Sequence, residues 1–281
     1  MTRDTRATVI IGVDELLARL AAPTPPQLLD VRWRLGAPSA EAYGRYLDAH
    51  LPGAKFLDLE NVLTGPLTDP LQGRHPLPDA GRLAAGLAAL GVDPDSEIVV
   101  YDEPGSFAAG RAWWVLRWAG LDVRVLDGGL PAWVEAGGPL ESGEARFTPS
   151  AGVPDLTTGH LPTLTADEAA SFDGLLVDVR ARERYAGEVE PIDARAGHIP
   201  GAVNRPVSGF WDASGRLPDE ATLRARLALP EGERVAAYCG SGVSAAQVVL
   251  ALASLGIEAP LYAPSWSGWS SDPSRPVEVG E

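Results

Sequence analysis

Leu28-Leu29-Asp30-Val31-Arg32 recurs as Leu176-Val177-Asp178-Val179-Arg180, and His50-Leu51-Pro52-Gly53-Ala54 recurs as His198-Ile199-Pro200-Gly201-Ala202, both at an offset of 148 residues. Self-similarity at one spacing marks a duplicated unit, which settles the architecture before any local reading. Further along, Val99-Val100-Tyr101-Asp102 matches Ala236-Ala237-Tyr238-Cys239 at an offset of 137, and Trp133 matches Trp269 at 136. The first copy is therefore 11 residues longer between its His-Leu-Pro-Gly and its Tyr-Asp.

Outward from these anchors, short β-branched or apolar runs at 28–31, 97–101, 123–126, 175–179 and 234–238 alternate with helical patterns at 79–90, 107–119, 219–228 and 244–255. That alternation predicts α/β domains, each with a mainly parallel sheet flanked by helices. Gly91, Gly120 and Gly256 follow apolar helical runs, as C-terminal stops do. Gly137 to Thr163 is rich in Gly, Pro, Ser and Thr without sustained periodicity and reads as the connection between the copies, with the boundary near residue 150. The length of 281 residues likewise predicts about two domains, with chain enough for two independent hydrophobic cores.

A net charge of −15, from 23 Lys and Arg against 38 Asp and Glu, repels polyanions and excludes a broad nucleic-acid footprint, while leaving room for a local basic pocket. Cys239 is the only cysteine, so no intrachain disulfide can form and no multi-cysteine metal site is suggested. His50, His75, His160 and His198 lack the close pairing of zinc motifs, so no metal is expected. Asp14, Glu15 and Arg19 stand where a signal peptide needs an unbroken apolar run, and nowhere do about 18 apolar residues run without charge. The expectation is a cytoplasmic protein with no membrane span.

Arg234-Val235-Ala236-Ala237-Tyr238 reads as a buried strand, and Ala245 to Leu255 as a helix with Val248, Val249, Leu252 and Leu255 on one side. Between them lies Cys239-Gly240-Ser241-Gly242-Val243-Ser244. A thiol there stands at the carboxyl end of a strand, where open α/β sheets bind ligands, and at the start of a helix. The two glycines permit a tight curl that turns successive N–H groups inward, a nest for negative charge to which the helix N-terminus adds about half a positive charge. A lone cysteine can instead be an inert core filler. A core filler has no use for a glycine cradle, so Cys239 reads as a nucleophile. The equivalent loop of the first half, Asp102-Glu103-Pro104-Gly105-Ser106-Phe107-Ala108, has an acid in place of the thiol, a proline without an N–H, and two carboxylates that repel an anion. Only the second half can act covalently.

The Asp-x-Arg, His-Ile-Pro-Gly and Cys-Gly-Ser-Gly-Val-Ser-Ala elements, in that order and duplicated with decay, resemble those of the two-domain rhodanese-type sulfurtransferases, over nearly the whole chain. The resemblance implies two tandem rhodanese-like α/β domains: an inactive one over 1–145 with Asp102 in place of cysteine, a linker over 146–162, and a catalytic one over 163–281. It implies that Cys239 takes a sulfane sulfur from a small anionic donor as a persulfide, without a cofactor, and passes it to an acceptor: cyanide, a thiol or a thioredoxin-like dithiol. With no second cysteine the chain cannot resolve a persulfide internally, so the acceptor is external. Two domains in one chain make a monomer the expected state.

In this family Cys-Gly-Ser-Gly-Val-Thr-Ala loops go with 3-mercaptopyruvate as donor, whereas thiosulfate-preferring members carry basic residues after the cysteine. Here Gly240 and Ser241 follow the cysteine and Ser244 stands where threonine is usual, so the resemblance implies mercaptopyruvate, with thiosulfate as the alternative. Gly240, Gly242, Val243 and Ser244 would hold the substrate through the loop. Arg184 matches the family's substrate-binding arginine; read without the resemblance, it is a solvated arginine in a charge-rich stretch. The second arginine of the mercaptopyruvate enzymes follows Glu-Pro-Glu-Pro, and in Glu188-Val189-Glu190-Pro191-Ile192-Asp193-Ala194-Arg195 the nearest candidate is Arg195, displaced. Arg180 with Asp178 reads as a structural ion pair.

The Ser/His/Asp relay ascribed to those enzymes would fall on Ser241, His75 and Asp58. The alternative is that Ser241 caps the loop, His75 is a surface residue beside proline, and Asp58 is a turn acid. His50 and His198, repeated in a half without a nucleophile, read as structural. Trp33 reads as a wall of the substrate cleft. Tyr262-Ala263-Pro264-Ser265-Trp266 departs from the family's usual Tyr-Asp-Gly-Ser-Trp.

Two rival functions differ in class. A cysteine phosphatase or arsenate reductase needs an arginine six positions after the cysteine to clamp its oxyanion, and Ala245 stands there. A non-catalytic persulfide carrier or interaction module would accept sulfur but turn over slowly.

Overall fold

The protein is described here as a computed structural model covering residues 5–229 and 232–280; the outermost residues of both expected domains, 1–4 and 281, lie outside it. Strands β1 (Ile10–Ile11), β2 (Gln27–Asp30), β3 (Lys55–Phe56), β4 (Ile98–Tyr101) and β5 (Val123–Leu126) form one parallel sheet in the order β1-β5-β4-β2-β3. In the second half β6 (Leu175–Asp178), β7 (Val203–Asn204) and β8 (Val235–Tyr238) form a parallel sheet in the order β7-β6-β8. Parallel bridges Ala237–Leu261 and Leu261–Thr163 continue it beyond β8, so the neighbours repeat those of the first sheet. The register repeats as well: Asp30 lies beside Tyr101, and Asp178 beside Tyr238.

The helices are α1 (Val13–Leu20), α2 (Ser39–Asp48), α3 (Ala80–Ala89), α4 (Ala108–Trp118), α5 (Gly129–Glu135), α6 (Ala166–Ala170), α7 (Arg182–Tyr185), α8 (Glu220–Leu227), α9 (Ser244–Ser254) and α10 (Ser265–Ser271). The five expected strand runs are β2, β4, β5, β6 and β8, and the four expected helical runs are α3, α4, α8 and α9. Asp79 and Asp219 start α3 and α8 by accepting the Arg82 and Thr222 N–H groups at 2.8 and 2.9 Å. Gly91, Gly120 and Gly256 end α3, α4 and α9 at φ of +60°, +85° and +75°.

The expected pair of independent cores is not what forms. Inward residues of both sheets (Leu29, Val100 and Val125; Val177 and Ala237) pack with α4 and α9 into one continuous cluster that runs through both halves. Each half keeps only a smaller cluster on its outer sheet face, around Leu28, Val99 and Trp133 in one and Leu176, Ala236 and Trp269 in the other. The physical reason lies in α4 and α9. Ala108 to Leu116 and Ala245 to Leu252 are buried without interruption, with Arg111 and Gln247 the only polar side chains among them, and helices so largely apolar must be covered on every side. One flank meets its own sheet and the other meets its repeat partner. The two helices approach so closely that a methyl on Gly110 would lie 2.0 Å from Gln247 Oε1 and 2.7 Å from its Cα. No helix among the described residues is long and apolar enough to cross a membrane.

Candidate active site

β8 ends at Tyr238, and the chain turns at once into the cysteine loop before α9. Cys239 is 2 % exposed, at the floor of a cavity of about 240 Å³. Gly242 adopts φ +79° and donates its N–H to Cys239 Sγ at 3.1 Å. A side chain there would also strike the Ala263 carbonyl at 2.5 Å, so both conformation and space require glycine. α10 holds the loop from beneath: the Trp266 and Ser267 N–H groups donate to the carbonyls of Cys239 and Gly240, each at 2.9 Å. The departure at Ala263-Pro264-Ser265 keeps the repeat's geometry at a cost. Ser265 takes φ +55°, the value of its repeat partner Gly129, a conformation that costs a non-glycine residue about 1–2 kcal/mol. Its hydroxyl offsets this by accepting the Cys239 N–H at 3.1 Å and donating to the Tyr262 carbonyl at 2.9 Å; it lies 3.9 Å from Sγ.

Three guanidinium groups surround the loop, two of them from the first half. Arg111 on α4 is completely buried, donates to the Gly242 carbonyl at 3.3 Å, and reaches the carbonyls of Leu63, His75 and Pro76. Burial pushes it down to about 10, opposed by attraction to Cys239 and Glu60. Arg74 and Arg184 converge on Gly240, where an added methyl would sit 3.2 Å from Arg74 Nη2 and 3.5 Å from Arg184 Nη1. Burial, with repulsion from Arg184, lowers Arg74. Arg184 lines the cavity beside Cys239, held by Glu190 at 2.7 and 3.0 Å.

His75 is buried, not a surface residue, and its Nδ1 lies 2.7 Å from Ser241 Oγ across 166 residues of chain. The acid on its other nitrogen is Glu60, at 3.2 Å, in place of the expected Asp58. Asp58 is spent on its own turn, accepting the Glu60 and Asn61 N–H groups at 2.9 and 3.1 Å and the Asn61 amide at 2.7 Å. Glu60 also accepts the Trp33 indole N–H at 2.7 Å, and the hydrogen bond to His75 holds its carboxyl below the ordinary value. Trp33 stands edge-on to the His75 ring with centroids 5.3 Å apart and lines the cavity.

Arg195 does not reach the site. Its guanidinium donates to the carbonyls of Trp269, Ser270, Asp272 and Arg275 at 2.6–3.1 Å, because the last turn of α10 leaves carbonyls unpaired and a cation there is favoured. Gly240, Val243 and Ser244 line the cavity with the cysteine. Arg180 pairs with Asp178 as Arg32 does with Asp30, both buried. His50 and His198 lie buried on Tyr46 and Tyr185, each with Nδ1 on that tyrosine's carbonyl.

The counterpart loop of the first half carries Asp102, pushed up to about 6 by burial. Its Gly105-Ser106-Phe107 stretch lines the wall of the cysteine cavity.

The Rhodanese-like domain model matches residues 12–136 and 163–272, once on each half. The chain belongs to the rhodanese family. SseB of Mycobacterium tuberculosis, provisionally named a thiosulfate sulfurtransferase, is 46 % identical over 98 % of both chains. The 3-mercaptopyruvate sulfurtransferase of Escherichia coli is 35 % identical over 96 % of this chain and 98 % of its own. The crystal structure of SseA from Escherichia coli, described as a 3-mercaptopyruvate sulfotransferase of the rhodanese fold, superposes with a TM-score of 0.80 at 31 % identity, over 92 % of this chain and 99 % of that one. This rhodanese is an enzyme of the thiosulfate/3-mercaptopyruvate sulfurtransferase type.

Proposed function

We propose that the enzyme moves a sulfane sulfur from 3-mercaptopyruvate to an external thiol or to cyanide through a persulfide on Cys239. The Cys239 thiolate attacks the donor sulfur, the new S–S bond forms as the C–S bond breaks, and the released pair becomes the enolate of pyruvate. The donor's thiol proton ends on that carbon, giving pyruvate and Cys239–S–S⁻, so no outside oxidant is required. The Gly242 N–H stabilises charge at the inner sulfur, and Ser241, His75 and Glu60 form a chain along which the proton can move. Reprotonated, the persulfide gives its outer sulfur to cyanide, leaving thiocyanate and the Cys239 thiol, or to a thiol, leaving a new persulfide.

One observation carries the choice of donor. The cations near Cys239 all come from outside its loop, Arg74 and Arg184 across Gly240 and Arg111 at Gly242, while residues 240–245 supply only backbone and small side chains. A carboxylate displaced by two carbons from the reacting sulfur fits that spacing; a compact dianion calls for a cation on the loop itself. The expected kcat/KM for 3-mercaptopyruvate exceeds that for thiosulfate by at least about tenfold, a difference of 1.4 kcal/mol. Preference for thiosulfate would overturn the assignment.

A further inference from the structure

Arg74 comes from the first half, in the segment by which that half exceeds its repeat, and Arg184 from α7 of the second. Besides flanking Gly240, the two share one partner. Asp193 gives one carboxylate oxygen to each: Oδ1 pairs with Arg74 Nη1, and Oδ2 accepts Arg184 Nη2 at 2.9 Å. Its side chain is 2 % exposed, although it sits on a segment without helix or strand between α7 and β7, beside exposed Val189 and Ile192.

Glu190 plays a different part. It holds Arg184 through Nε and Nη2, pairs with Arg180, and accepts the N–H groups of Ile192 and Asp193 at 3.1 and 3.0 Å, which makes it a fixed part of the frame. Asp193 has a single contact to each arginine. Arg74 Nε has no hydrogen-bond partner among the described residues, so Asp193 leaves that guanidinium incompletely satisfied.

We propose that Arg74 joins the family's substrate-binding Arg184 in holding the donor's carboxylate, that Asp193 occupies this site as a resident carboxylate, and that a donor enters by displacing it. The proposal rests on the sulfur-transfer reading of Cys239. A 2-oxo carboxylate can reproduce both contacts of Asp193 with the same chemical group. Charge balance favours exchange over addition. With Asp193 in place the two guanidinium groups are matched by Glu190 and Asp193, so an added anion leaves an excess negative charge in a partly buried cavity of a protein already at −15. Exchange leaves the count unchanged. Asp193 thereby sets which donors succeed: a ligand must bind two guanidinium groups better than the protein's own carboxylate does.

The test is protection of Cys239, the single thiol, from alkylation by neutral iodoacetamide, with pyruvate as the protecting ligand and mass spectrometry as the readout. In Asp193→Asn and Asp193→Ser the half-protecting pyruvate concentration is expected to fall about five- to tenfold, and in Arg74→Gln to rise by a similar factor. In Arg74→Gln/Asp193→Asn the gain disappears. Wild-type or weaker protection in both Asp193 variants, unaltered protection in Arg74→Gln, or no protection by pyruvate in any variant would overturn the proposal. If protection follows the expected pattern but 3-mercaptopyruvate adds no sulfur to Cys239, the carboxylate site stands and the sulfur-transfer reading fails.

Discussion

Asp58 and Glu60 stand two positions apart on one turn, yet only Glu60 reaches His75. Both acids were visible in the sequence. Which one faces inward depends on how the turn after β3 closes, and Asp58 closes it by binding the N–H groups of Glu60 and Asn61. Glu60→Gln is therefore expected to lower kcat/KM for 3-mercaptopyruvate about 10²-fold, the usual range for a lost proton-transfer partner. Asp58→Asn is expected to stay within about threefold of wild type and to register in stability, by about 1 kcal/mol. The reverse ranking in steady-state kinetics would return the role to Asp58. The setting of Cys239 was legible because its signals are local: a strand, two glycines and a helix in succession. Arg74 was not, because its partner Asp193 is 119 residues away and nothing in Gly73-Arg74-His75 announces a ligand.

At the level of elements, the four-residue strands and helices α3, α4, α8 and α9 were readable because each carries its own periodicity or is matched by a repeat, whereas α1 and α2, of eight and ten residues, were not read. β1, β3 and β7 are two residues long, too short for alternation to show, and are strands only because a longer neighbour pairs with them. α7 and α10 are similarly set by the turns before them. The crossing of α4 and α9 offers a test of element packing. Helix propensity alone predicts that Gly110→Ala stabilises the protein by up to about 1 kcal/mol. The Gln247 backbone lies 2.7 Å from the new methyl, so the helices must separate, and overpacking of this kind costs about 1–3 kcal/mol. Urea denaturation is expected to show a net loss of stability in Gly110→Ala; a gain would mean that the helices are not in contact there.

Across the whole molecule, duplication was evident from the sequence, but the fusion of the two halves through one core was not, because a sequence shows which helices are apolar and not which surfaces they share. That fusion explains what the half without a cysteine does. It supplies Arg74, His75, Glu60, Trp33 and Arg111 to the site, and its own Gly105-Ser106-Phe107 loop walls the cavity. The second half brings the thiol, its cradle and Arg184. In the proposed reaction the chemistry falls on one atom, Cys239 Sγ. Mass spectrometry of the protein after 3-mercaptopyruvate, with acceptor withheld, tests it most directly. The expected result is a single added sulfur, localised to Cys239 and lost on addition of cyanide; an unchanged mass in protein that still turns over would contradict the covalent route.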